Sequence, residues 1–140
     1  MGRYESFDHT ADLGLRIYAT DLEDLFRTAA EALFDVIVID RDQVEPLETE
    51  QFQLTADSTE TLLVDWLNEL IFHFETGHLV FGRFDVSVDP LGRTITARVH
   101  GEPMDPKRHG LNHEVKAVTH HGVQVVHDQV GCAAELILDL

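Results

Sequence analysis

The sequence predicts an α/β fold, a two-layer arrangement in which a largely antiparallel sheet is covered by two amphipathic helices. Two long segments carry apolar residues at three-four spacing, and several shorter ones alternate apolar with polar residues. Tight turns join neighbouring strand segments, which favours antiparallel pairing. No internal repeat, low-complexity tract or Ser/Gly-rich linker divides the chain, so residues 1–140 are expected to form a single domain.

Tyr4 to Phe7 reads as a strand and Asp8-His9-Thr10-Ala11-Asp12 as a polar connection. Leu13, Leu15 and Ile17 then alternate with Gly14, Arg16 and Tyr18, as a half-buried strand requires. Thr20 and Glu23 have capping-box spacing and open a helix. Its apolar stripe runs through Leu22, Leu25, Phe26, Ala29, Leu33, Phe34 and Ile37, and its end lies near Val38 to Asp40. From Asp42 to Ala56 the pattern is broken by Pro46, after which Phe52 and Leu54 alternate with Gln51, Gln53 and Thr55. Asp57 followed by Glu60 starts a second helix, with a stripe of Leu62, Leu63, Trp66, Leu67, Leu70, Ile71 and Phe74 and a C-terminal cap at Gly77. Leu79 to Val88 and Ile95 to Val99 form a hairpin around Asp89-Pro90-Leu91-Gly92. Gly101 to His113, with Pro103, Pro106 and Gly110, reads as a surface loop. Val115 to Thr119 alternates and is extended by Val123 to His127, and Asp128 to Gly131 turns the chain into a last strand, Ala134 to Leu140.

Composition restricts function. Ten Lys plus Arg against twenty-six Asp plus Glu give a net charge of −16, which repels phosphate backbones and anionic lipid, so no direct nucleic-acid binding is expected. The single cysteine, Cys132, permits no intrachain disulfide and no Cys-based zinc cluster. No apolar run approaches the ~20 residues that span a bilayer, and the opening residues lack an apolar signal core; a soluble cytoplasmic protein is expected.

The chemistry-bearing residues are few. Asp8 to Asp12 places two carboxylates and an imidazole within one short connection, which suits either a hard-cation site or Asp and Thr side chains bonded to their own backbone. The chain ends on Asp139 and the carboxylate of Leu140. If that end lies beside Asp12, three anionic groups converge and a divalent ion neutralises them; otherwise the terminus frays into solvent. Lys116 is either a solvated strand lysine or the electrostatic partner of the acidic cluster or of an incoming macromolecule. His109 with His113, and the pair His120-His121, invite a zinc reading, but adjacent strand residues face opposite ways and no His-Glu-x-x-His pattern accompanies them. There is no Gly-rich phosphate loop and no Gly-x-Ser-x-Gly elbow.

Several separated motifs have a familiar look: Phe7-Asp8-His9-Thr10-Ala11-Asp12-Leu13-Gly14, Trp66-Leu67-Asn68-Glu69-Leu70, Gly101-Glu102-Pro103, Val115-Lys116-Ala117-Val118-Thr119 and the final Asp139-Leu140. In this order they resemble the archease family over nearly the whole chain. The resemblance implies a two-layer α/β fold and a role as protein cofactor of an RtcB-type RNA ligase, which joins a 3′-phosphate or 2′,3′-cyclic phosphate end to a 5′-hydroxyl, notably in transfer-RNA splicing or RNA repair. Such a protein is not itself the ligase; it promotes guanylylation of the ligase histidine from GTP and restores the ligase for further turnovers. It also implies a metal site at Asp12, Asp139 and Leu140, the last through a backbone or terminal carboxylate oxygen, with calcium as the divalent cation, and Asp12, Lys116 and Asp139 as the residues that support activity. His120 departs from the family pattern, which has tyrosine there. A general chaperone or interaction module presenting an acidic face, and a small metal-dependent phosphohydrolase using the acidic cluster and His9, are the competing readings.

Overall fold

In the computed structural model, which describes every residue except Met1, Thr10 and Ala11, the chain forms seven strands and two long helices. They are β1 (Arg3–His9), β2 (Asp12–Ala19), α1 (Leu22–Ile37), β3 (Glu48–Thr55), α2 (Thr59–Gly77), β4 (Leu79–Val88), β5 (Thr94–Pro103), β6 (Ala117–His127) and β7 (Cys132–Asp139), with a short 3-10 helix at Arg41–Gln43 between α1 and β3. The α/β class and the two helices match the sequence reading. The strands, however, divide into two antiparallel sheets, one ordered β1-β2-β7-β6 and the other β3-β5-β4.

That division explains the helices. α1 buries residues around most of its circumference, including Thr28, Ala30 and Ala32 outside the expected stripe, because it packs on β4 of one sheet and β2 of the other. α2 lies on β6 and also touches β3, β4 and β5. The two helices meet where the buried Trp66 ring donates its Nε1–H to the Phe26 carbonyl at 3.0 Å, so the indole is sunk without an unmet polar group. One core cluster contains residues of both sheets and both helices.

Both helix starts are displaced by one residue from the predicted caps. Asp21, not Thr20, caps α1 by accepting from the Asp24 N–H at 2.8 Å, while the Asp24 carboxylate accepts from the Thr20 N–H at 3.1 Å. Ser58, not Asp57, caps α2 through the Thr61 N–H at 3.1 Å. The left-handed cap after α2 is His78, with φ 54°, one residue past Gly77.

Gly101, Glu102 and Pro103 belong to β5 rather than to a loop. A Cβ on Gly101 would stand 1.9 Å from the Val80 carbonyl oxygen and 2.9 Å from the Phe81 Cα, both backbone atoms, beside the register shift between Phe81 and Arg83. No side-chain rotation relieves that. Gly101→Ala is expected to destabilise the fold by about 2–3 kcal/mol, seen as a lower urea midpoint with an unchanged slope.

Candidate functional site

The site grows from strand register. β2 pairs antiparallel with β7 so that Asp12 stands opposite Asp139, and β6 pairs with β7 so that Ala117 also stands opposite Asp139. The start of the chain and its last residues are therefore neighbours at one end of a four-stranded sheet. Directly opposed residues share a face with Cβ atoms about 5 Å apart, a spacing at which two carboxylates repel. Asp139 is exposed, and Asp12 and Leu140 are half-buried.

Lys116 joins the same edge. It lies one residue before β6 rather than inside a strand, is exposed, and donates its backbone N–H to the Asp139 carbonyl at 2.8 Å. Asp12, Asp139, Leu140 and Lys116, widely separated in the chain, thus occupy one end of the sheet. Asp8 does not join Asp12: it pairs with Leu13, so strand alternation puts it on the other face. His9 pairs in register with Asp12. Thr10 and Ala11 of the polar connection lie outside the described residues.

The donor set is oxygen only. Two opposed carboxylates with a main-chain or terminal oxygen of Leu140 suit a hard divalent cation of the calcium or magnesium class, since such an ion removes the repulsion that the register imposes. Among the described residues no three His, Cys, Asp or Glu side chains gather as a group that could hold a metal ion. His120 and His121 sit where the β6 register shifts between Thr119 and Gln124, and both are exposed.

His109 and His113 part company: His113 is exposed, whereas His109 is buried. The His109 Nδ1 accepts from the Asp105 N–H at 3.0 Å, so Nε2 carries the proton and donates to Glu102 Oε2 at 3.1 Å. The same oxygen accepts from the Glu45 N–H at 2.6 Å and from the Arg108 guanidinium. Arg108 above all, with the Glu45 N–H and the His109 ring, holds the Glu102 carboxyl down at about 2 against the outward push of desolvation. This buried network folds the segment from Met104 to His113 back against the end of α1, where Asn112 and His113 donate their N–H groups to the Ile37 and Val36 carbonyls at 2.8 and 3.1 Å. Three residues later the chain reaches Lys116.

Sequence reasoning missed the role of Glu102 and that of Asn68, whose side chain bonds the backbone of Val118. For Glu102 the available signal is an acidic residue shortly before Arg108 and His109 in a chain poor in bases; for Asn68 it is one neutral polar residue between Leu67 and Leu70 on the packed helix.

The chain from residue 4 to 140 matches the family described as the Archease protein family (MTH1598/TM1083). A protein archease of Methanopyrus kandleri is 39% identical over 139 residues, covering 98% of this chain and 99% of its own. A protein archease of Pyrococcus abyssi is 38% identical over 127 residues, 89% of each chain. The solution structure of protein 1598 of Methanobacterium thermoautotrophicum superposes with a TM-score of 0.83 at 37% identity, covering 98% of both chains. The crystal structure of a Thermotoga maritima archease, described as a possible chaperone, shares the fold with a TM-score of 0.65 at 18% identity, covering 97% of this chain and 96% of its own. A match running from the first strand to the last residue, supported by relatives of equal length, makes this chain a member of the archease family.

Proposed function

We propose that this protein is a cytoplasmic protein cofactor of an RtcB-type RNA ligase, promoting guanylylation of the ligase and its repeated turnover in transfer-RNA splicing or RNA repair. The observation that carries the reading is the register that sets Asp12 opposite Asp139, with the Lys116 amide tied to the Asp139 carbonyl. Asp12, Asp139 and a Leu140 oxygen would hold a divalent cation, calcium by family resemblance, and that ion supplies positive charge to an otherwise repelling edge. The chain's own part is to hold two carboxylates at a fixed spacing on rigid strands, with one cation, Lys116, anchored beside them by its backbone. An edge of this kind is preorganised for a metal-dependent nucleotide site in another protein. With a net charge of −16 the chain approaches basic protein surfaces and leaves the RNA to the ligase.

The test is single-turnover guanylylation of the ligase from GTP, with and without this protein, across added calcium, magnesium and manganese. A metal-dependent rise in rate supports the reading. An unchanged rate overturns it, and a diffuse set of captured clients in place of the ligase would move the protein to the chaperone class that the Thermotoga relative's description names. Turnover of phosphate esters by the isolated protein would move it to the hydrolases.

A further inference from the structure

β6 is the outermost strand of its sheet, and the amide of Asn68 closes its edge. Asn68 Nδ2 donates to the Val118 carbonyl at 3.0 Å, and Asn68 Oδ1 accepts from the Val118 N–H at 2.8 Å. One side chain makes both bonds that a neighbouring strand would make. Without it, a donor and an acceptor at the sheet edge would turn to water or to another chain.

The position of this clamp matters. β6 keeps its ladder to β7 only over Ala117–Thr119 before the register shift that follows Thr119, and Ala117 is the residue opposite Asp139. Lys116 lies just before that ladder, held to it by its N–H on the Asp139 carbonyl. The Val118 side chain is buried in the core, so the same residue is fixed from inside by packing and from its edge by Asn68. A short ladder next to a bulge opens easily unless something holds its outer side.

We infer that Asn68 is a positioning residue for the acidic edge: by clamping Val118 it keeps Ala117–Thr119 on β7 and thereby fixes Lys116 relative to Asp12 and Asp139. The inference rests on the proposed activity of that edge for its functional consequence, and on the two bonds above for its structural one. Only a primary amide fits the task at this length. Asp offers no donor when ionised, Gln is longer by a methylene, and Ala offers neither group.

A double-mutant cycle tests it. Asn68→Ala is expected to lower stimulation of ligase guanylylation about tenfold, and to have no further effect in a Lys116→Ala background. Multiplying losses in the double variant would mean that Asn68 acts through general stability and would overturn the inference. Amide hydrogen exchange on the protein alone gives a second readout. The Val118 and Lys116 amides should exchange at least about ten times faster in Asn68→Ala while those of α1 and β5 keep their rates. Uniform acceleration, or none, counts against the clamp. Should Asn68→Ala fail to fold, Asn68→Asp, which keeps the acceptor for the Val118 N–H, carries the same measurements and is expected to lower stimulation and speed exchange of the Val118 and Lys116 amides, each by less than about tenfold. If Lys116→Ala leaves stimulation intact, the proposed use of Lys116 fails, and the exchange pattern still decides for or against Asn68.

Discussion

Replacing Asp12 or Asp139 with Ala is expected to cut the stimulation of ligase guanylylation by at least about 100-fold and to weaken calcium binding by a similar factor. Each substitution removes one of only two side-chain carboxylates in the proposed oxygen set, and no third acidic side chain gathers with them among the described residues. The backbone survives: Lys116 bonds the main-chain carbonyl of Asp139, so Asp139→Ala removes a carboxylate and leaves that link in place. Repulsion between directly opposed carboxylates is worth about 1 kcal/mol or less, and metal-free Asp139→Ala should melt within about 4 °C of the parent. Calcium should then raise the melting temperature of the parent, because an ion bound only by the folded state stabilises it in proportion to the logarithm of its concentration, and should leave both variants unmoved. Full stimulation by either variant would remove the acidic edge from the mechanism; a calcium shift that persists in both would place the ion elsewhere.

Much of this arrangement is local and can be read from the chain. Alternation of Leu13, Leu15 and Ile17 fixes both the existence of β2 and its buried face, and the stripe from Leu62 to Ile71 fixes α2. The caps slip by one residue because Thr20 and Asp21, like Asp57 and Ser58, are both capping types, and the adopted frames carry Asp24 and Thr61 rather than Glu three residues on, so the box spacing points to the wrong neighbour. What sequence pattern does not contain is the choice of strand partners. β2 lies between its hairpin neighbour β1 and the distant β7, and only that second pairing converts Asp12 and Asp139 from two acidic residues into an opposed pair. The same alternation, once the register is known, separates Asp8 from Asp12. Gly101 and Pro103 are turn formers by type, yet Gly101 is required where β5 presses on the Val80 carbonyl and Pro103 sits at the last position of its strand opposite Leu79. Tertiary contact overrides propensity there, and the loop reading fails for that reason.

Glu102→Ala should destabilise the fold by about 3 kcal/mol, because three donors converge on one buried oxygen and the buried His109 Nε2–H among them is left without an acceptor. Glu102→Gln, which can still present one oxygen to the Glu45, Arg108 and His109 donors, should lose less than Glu102→Ala. The wild-type carboxyl is held down at about 2, below its ordinary 4.5, so its contribution is complete above pH 4.5 and disappears as pH falls from there toward 2. Denaturant midpoints measured from pH 7 to pH 2 should therefore fall more steeply below pH 4.5 for the parent than for Glu102→Gln, with the two curves converging at the acid end. Because the network anchors Met104 to His113 against α1 just ahead of Lys116, Glu102→Ala should also reduce stimulation of the ligase at temperatures where the variant remains folded. Glu102→Gln should retain it, since the charge of Glu102 serves the fold and its oxygen serves the position of Lys116. Parallel acid curves for parent and Glu102→Gln would show that the carboxylate's low pKa has another origin than the folded contacts with Arg108, Glu45 and His109.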